Sequence, residues 1–149
     1  MISYKRTDST HEDFRRLVAA LDTDLAIRDG AEHGFYAQYN KIDTIRHAVL
    51  AYEGDEVVGC GAVKEYAPGI MEVKRMYVPP AKRGLGIASG VLQELERWCR
   101  EMSYARCVLE TGKKQPEAIA LYLKNGYVVI PNYGQYQGID NSVCFEKML

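Results

Sequence analysis

The chain is expected to fold as one α+β domain, residues 1–149, in which a mixed sheet of about six to seven strands is flanked by about four helices. Three observations predict this. Its 149 residues, 47% of them hydrophobic, suit one ordinary domain with a real core. Runs of period two alternate with runs of period 3.6 along the whole length, with no repeat, linker or low-complexity stretch between them. The early strands follow one another through short turns, as in an antiparallel meander, whereas a later one is reached through a long helix, as in a right-handed parallel crossover.

Ile2 to Lys5 alternates and opens the sheet. Thr10 with Asp13 imitates a capping box, Asp standing in for Glu or Gln, so a helix is expected from about His11. Phe14, Leu17, Val18, Leu21 and Leu25 recur at spacings of three and four, one stripe for packing on a sheet, and Asp29-Gly30 ends the helix. Glu32 to Asp43 is too polar for a buried strand and reads as a second, short helix. His47 to Tyr52 and Glu56 to Glu65 form a hairpin across Glu53-Gly54-Asp55. Gly59 and Gly61, at alternate positions, imply a neighbour packed closely on that face. After the Tyr66-Ala67-Pro68-Gly69 turn comes the central strand, stopped by Pro79-Pro80.

The next helix should bury Ile87, Val91, Leu92, Leu95, Trp98, Cys99 and Met102, with Gln93, Glu94, Glu96, Arg97 and Arg100 opposite. Ala105 to Glu110, continuous and largely apolar, reads as a strand covered on both faces and parallel to its neighbour. Pro116 suits a first helical turn and Asn125-Gly126 its end. Tyr127 to Ile130 and Ser142 to Met148 close the sheet, separated by a Tyr/Gly/Gln/Asn loop.

Composition excludes several classes. Nineteen basic residues against 20 acidic give no broad field for nucleic acid or an anionic membrane. No run reaches the ~18 apolar residues of a membrane span, and Met1 to Arg6 lacks a signal-peptide core, so a cytoplasmic location is expected. Cys60, Cys99, Cys107 and Cys144 form no Cys-x-x-Cys pair and read as buried thiols. His11, His33 and His47 lack ligand spacing, so no metal site is expected.

Chemistry concentrates after the twin proline. Lys82-Arg83-Gly84-Leu85-Gly86-Ile87-Ala88-Ser89 joins a basic, glycine-rich turn to a helix start, whose unpaired N–H groups and partial positive charge suit phosphate. Neither familiar phosphate motif fits. There is no Gly-Lys-Ser/Thr run for a P-loop, and Ser89 stands where the dinucleotide fingerprint needs its third glycine.

The residues resemble the acetyl-coenzyme A signature of the GNAT N-acetyltransferase superfamily, Arg/Gln-x-x-Gly-x-Gly/Ala, present as Arg83-Gly84-Leu85-Gly86-Ile87-Ala88 after Val78-Pro79. A second block of the family recurs as Ala118-Ile119-Ala120-Leu121-Tyr122 with Gly126-Tyr127. The resemblance implies a GNAT-like sheet that splays between the central strand near Val78 and the strand near Leu109. It implies that acetyl-coenzyme A lays its pantetheine along Met76, Tyr77 and Val78 and its pyrophosphate over Lys82 to Ser89, with Gln115, Ala118 and Tyr122 completing the cofactor wall. The family often has Asn where Gln115 stands, which puts that contact in doubt.

By the same resemblance the activity is acetyl transfer to a primary amine of a small molecule or peptide. Tyr122 occupies the position of the proton donor to the leaving sulfur. Glu72, six residues before Val78, stands where several members place a catalytic Glu; the alternative for it is a surface pair with Lys74 or Arg75. The helices before the second strand imply acceptor contacts at Tyr36, Asn40 and Lys41. Glu65, Glu110 and Tyr133, with Asn132, Gln135 and Tyr136 nearby, would suit a basic or polar acceptor. Aminoglycoside, polyamine, amino acid and protein N-terminus remain open, as does a homodimer. A silent acyl-coenzyme A sensor and a transferase of larger acyl groups are the other readings.

Overall fold

The computed structural model of the protein describes residues 1–29 and 45–149. Among the described residues seven strands form one sheet: β1 (Ile2–Thr7), β2 (His47–Glu53), β3 (Glu56–Ala67), β4 (Ile70–Tyr77), β5 (Arg106–Gly112), β6 (Val128–Ile130) and β7 (Ser142–Met148). Their order is β1-β2-β3-β4-β5-β7-β6, and every neighbouring pair is antiparallel except β4 and β5. Among the described residues there are three α-helices, α1 (Glu12–Asp29), α2 (Ile87–Glu101) and α3 (Pro116–Lys124). The short helix predicted over 32–43 lies outside the described residues. None of the described helices is long and apolar enough to cross a membrane.

The start of α1 differs from the predicted capping box. Thr10 turns back to Asp8, whose carboxylate accepts from both its N–H (2.9 Å) and its hydroxyl (2.6 Å). His11 does the capping: its carbonyl accepts from Arg15 N–H, and its Nδ1 accepts from Asp13 N–H at 3.1 Å. An imidazole nitrogen thus serves where a carboxylate or hydroxyl normally would. Beyond the cap, Phe14, Leu17, Val18 and Leu21 are buried as the stripe predicts, the first three against Ala48, Leu50, Cys60 and Ala62 on one face of the sheet.

On the opposite face, α2 lies so close to β3 that only glycine fits below it. A Cβ on Gly59 would stand 2.8 Å from Ile87 Cγ2, and one on Gly61 would collide with Met76 Sδ and with Val91 Cγ1. The core here joins Val91, Leu92 and Leu95 of α2 to Met71 and Val73 of β4 and to Leu109 and Phe145.

One residue reverses its predicted side. Glu96, expected on the solvent face of α2, is 2% exposed. It accepts from the Tyr127 hydroxyl at 2.9 Å and from Lys147 Nζ at 2.8 Å. A buried carboxylate survives only with such partners, and removing one leaves the charge uncompensated. Lys147→Met should therefore lower unfolding free energy by about 3 kcal/mol in urea titration. Adding Glu96→Leu should recover part of that loss; a neutral single variant would remove the ion pair from the stability of the fold.

Two features of β4 build the site. Its parallel pairing to β5 lasts for three rungs, Ile70 with Arg106, Met71 with Cys107 and Glu72 with Val108, and then stops. Beyond Glu72 the strands diverge as expected. β5 continues instead with β7, pairing through to Gly112 and Ser142. On its other edge β4 bulges: Lys74 pairs with Ala62 and Tyr77 with Cys60, so Arg75 and Met76 together oppose Gly61. Arg75 takes the left-handed φ of 61° that the bulge requires.

Candidate active site

Where β4 and β5 part, a cavity of about 430 Å³ opens, reaching from α1 across the fork to the starts of α2 and α3. A 3-10 turn at Pro80–Lys82 carries the chain from β4 to the glycine-rich segment before α2. Gly84 and Gly86 then take φ of 81° and 79°, and a Cβ at either would meet nothing within 4 Å. Both glycines are needed for their left-handed backbone, and the space above them is open to a ligand. Gly86 caps α2 without a side-chain hydrogen bond, and the first N–H bonded inside the helix is that of Gly90. The N–H groups of Ile87, Ala88 and Ser89 precede it, which is the arrangement that takes an anion.

The basic side chains of this turn are partly committed. Arg83 donates from Nε to Val78 O at 2.8 Å and rests its guanidinium on the Tyr77 ring, fastening the turn to the end of β4. Lys82 reaches back to Glu53 at 2.7 Å, and that carboxylate raises its pKa. Ser89 Oγ accepts from Asn125 Nδ2 at 3.1 Å, tying the start of α2 to the end of α3. Gln115, Ala118 and Tyr122 line the α3 side, and Gln115 does not spend its side chain on capping α3. Of the predicted cofactor residues, Leu85 alone stays off the cavity wall, 64% exposed.

Deeper in the fork lie the ionisable groups. Glu72, on the last paired rung, is 8% exposed and accepts from the Tyr133 hydroxyl at 2.5 Å. Of the pair considered for it, the Lys74 half forms: Lys74 Nζ donates to Glu72 Oε1 at 3.5 Å, with both side chains buried and not on the strand surface, whereas Arg75 turns to Asp22 at 2.7 Å. Tyr133 is itself held edge-on by Tyr66 and Tyr136, at ring distances of 5.0 and 5.7 Å. Burial and the neighbouring Glu72 push its pKa upward, so it stays a donor. Tyr122 lines the same cavity, buried against Tyr127 and Phe145, and burial followed by the charge of Glu110 raises its pKa too.

The acceptor residues divide. Glu110 lies on the cavity wall and accepts from Ser142 Oγ at 2.7 Å. Tyr136 is there as well. Glu65 is not brought to the cavity: it faces solvent on β3 and accepts from the Tyr104 hydroxyl at 2.5 Å. Asn132 braces its own loop, donating to Ile139 O and Ser142 O. Tyr36, Asn40 and Lys41 lie outside the described residues. Sequence reasoning missed Leu21 and Asp24 of α1, Lys74, and Arg75 as wall residues. Nothing in a single sequence joins α1 to the central strand 50 positions later.

A forked parallel pair, an uncapped helix start above two left-handed glycines and a buried carboxylate with a phenol at the fork define a class: enzymes that draw an acyl group from coenzyme A. The chain belongs to the acetyltransferase (GNAT) family, whose pattern matches residues 10–127. The IAA acetyltransferase of Azospirillum brasilense is 37% identical over 102 residues, 68% of this chain and 67% of that protein. A Klebsiella pneumoniae crystal structure named for acyl-CoA N-acyltransferase is 33% identical, with a TM-score of 0.84 over 100% of this chain and 98% of that one. The PaiA N-acetyltransferase of Thermoplasma acidophilum, solved in complex with coenzyme A, has a TM-score of 0.74 at 17% identity over 100% and 99% of the two chains, a likeness of fold. The protein is an N-acetyltransferase of this acyl-coenzyme A-dependent kind.

Proposed function

We propose that the protein moves an acetyl group from acetyl-coenzyme A to a primary amine of a small molecule or peptide, by direct attack in a ternary complex held by the single domain. One observation carries the reading: a single cavity is lined both by the anion cradle, Gly84, Gly86, Ile87, Ala88 and Ser89, and by Glu72 and Tyr122. The residues fit coenzyme A. The open left-handed glycines and free N–H groups of α2 would hold its pyrophosphate, and the β4 end from Met76 to Val78 offers backbone to its pantetheine amides.

Acetyl-coenzyme A supplies the activated acyl carbon and a thiolate that can leave. Glu72 removes a proton from the acceptor, directly or through water, because amines are mostly protonated at pH 7 and an ammonium has no lone pair. Tyr133 holds that carboxylate in place. Tyr122, kept protonated by burial, gives a proton or a hydrogen bond to the departing sulfur. All four cysteines are free and buried, which supports a reducing, cytoplasmic setting.

Thiol release measured across acetyl, propionyl and succinyl donors and a panel of amines tests the reading. Turnover is expected with the acetyl donor. Tight donor binding with no amine used would make this a sensor, and a larger preferred donor would replace acetyl. Glu72→Gln should reduce kcat about 100-fold with little change in donor KM; full activity would relieve Glu72 of the base role.

A further inference from the structure

The acceptor end of the cavity holds a cation that the acetyl transfer above does not use. Arg75 lines the cavity, its side chain is 4% exposed, and its Nη1 pairs with Asp22 Oδ1 at 2.7 Å. Its Nε is buried and has no hydrogen-bond partner among the described residues, the one side-chain atom there of which this is true. Buried guanidinium donors are expensive to leave unpaired, so an orphan one calls for a ligand or a compensating gain.

The backbone shows that this residue is placed at a cost. Arg75 sits in the bulge of β4 with φ of 61°, a conformation that glycine adopts freely and arginine does not. A glycine would suit the bulge, and an apolar side chain would suit burial, yet an arginine stands there. Lys74, its neighbour, lines the same wall, while Glu72 and Glu110 line it with the opposite sign. A purely cationic acceptor would answer the carboxylates and leave the Nε of Arg75 unpaired, Asp22 meeting the guanidinium only through Nη1. A molecule carrying both an amine and an acid answers both.

The geometry points to an acceptor that is an amine bearing a carboxylate, an amino acid in the broad sense, whose carboxylate takes the Nε edge of Arg75 while its amine lies toward Glu72 and the acyl donor. This rests on the amine-acetylation reading given above. The planar, forked guanidinium suits a carboxylate side-on, and lysine cannot reproduce that fork. Asp22, accepting from Nη1, fixes the orientation of the group and leaves Nε unpaired.

Matched pairs test it: phenylalanine against phenethylamine, and 4-aminobutyrate against propylamine. In the better-used pair the acid should show a kcat/KM at least tenfold above its decarboxylated partner. With coenzyme A saturating, the acid should also raise the melting temperature where the amine does not. In Arg75→Lys, which retains the charge facing Asp22, the ratio should fall toward one through a raised KM for the acid, and Arg75→Met should behave alike. Equal use of acid and amine by the wild type, or a ratio that survives in either folded variant, would overturn the proposal while leaving amine acetylation intact. Melting shifts confined to the acids and lost in both variants, with no amine acetylated, would sustain the carboxylate site and remove the reaction instead.

Discussion

Gly86→Glu should abolish coenzyme A binding and leave the fold standing. Gly86 has φ of 79° and closes the N-terminus of α2, and a Cβ there would meet no protein atom within 4 Å. A side chain added at that point enters the space a ligand would use. The strain of a left-handed non-glycine residue costs about 1–2 kcal/mol. Against that, a carboxylate beside a helix N-terminus gains up to about 1 kcal/mol. The two terms nearly offset, so the melting temperature should shift by only a few degrees. Binding responds differently, because the new carboxylate lies over the N–H groups of Ile87, Ala88 and Ser89 and repels the phosphates it displaces. Calorimetry should show a loss of at least about 1000-fold, equivalent to about 4 kcal/mol. Gly86→Ala carries the same backbone strain without the charge and should lose tenfold or less. Equal losses in the two variants would trace the effect to strain, and an unchanged affinity for Gly86→Glu would place the phosphates elsewhere.

What the sequence makes legible depends on how local the cause is. The strands, α2 and α3 are written in periodicity and in Pro and Gly punctuation, and they appear within a few residues of where those signals put them. The glycine cradle is legible for the same reason, since a turn, a missing Cβ and a helix start are consecutive in the chain. Gly59 and Gly61 were readable as a close approach, although only the fold reveals that α2 is what approaches. Glu96 was not readable: its helical position lies outside the apolar stripe, and its partners Tyr127 and Lys147 arrive 31 and 51 residues later. The hydrogen bond from Tyr133 to Glu72 spans 61 residues and is equally silent. Left-handed backbone at Arg75 has no sequence mark, because an arginine is among the last residues that such a φ would suggest. Long-range polar pairing and strain are consequences of topology, and they are where the site exceeded the sequence.

Tyr122→Phe tests the chemical half of the site, and it should lower kcat about 100-fold while donor affinity stays within about twofold. The ring itself is retained, so the contacts with Tyr127 and Phe145 at 5.7 and 5.9 Å persist. The substitution removes only the hydroxyl oxygen, so stability should hardly change. The pH dependence follows from the direction of the shift. Burial and the charge of Glu110 raise the pKa above the ordinary tyrosine value of about 10. The phenol of the native enzyme therefore remains protonated up to and beyond that pH, and no descending limb below about pH 10 should come from its ionisation. Folding stability has the same sign: because the unfolded chain gives up this proton first, stability is intact below about pH 10 and declines above it. If Tyr122 acts by protonating sulfur, an acyl donor whose thiol leaves readily without a proton should narrow the gap between wild type and Phe variant. A gap of the same size with every donor would mean that the hydroxyl positions the thioester, and a variant with full activity would leave Tyr122 as a wall of the cleft with no part in the transfer.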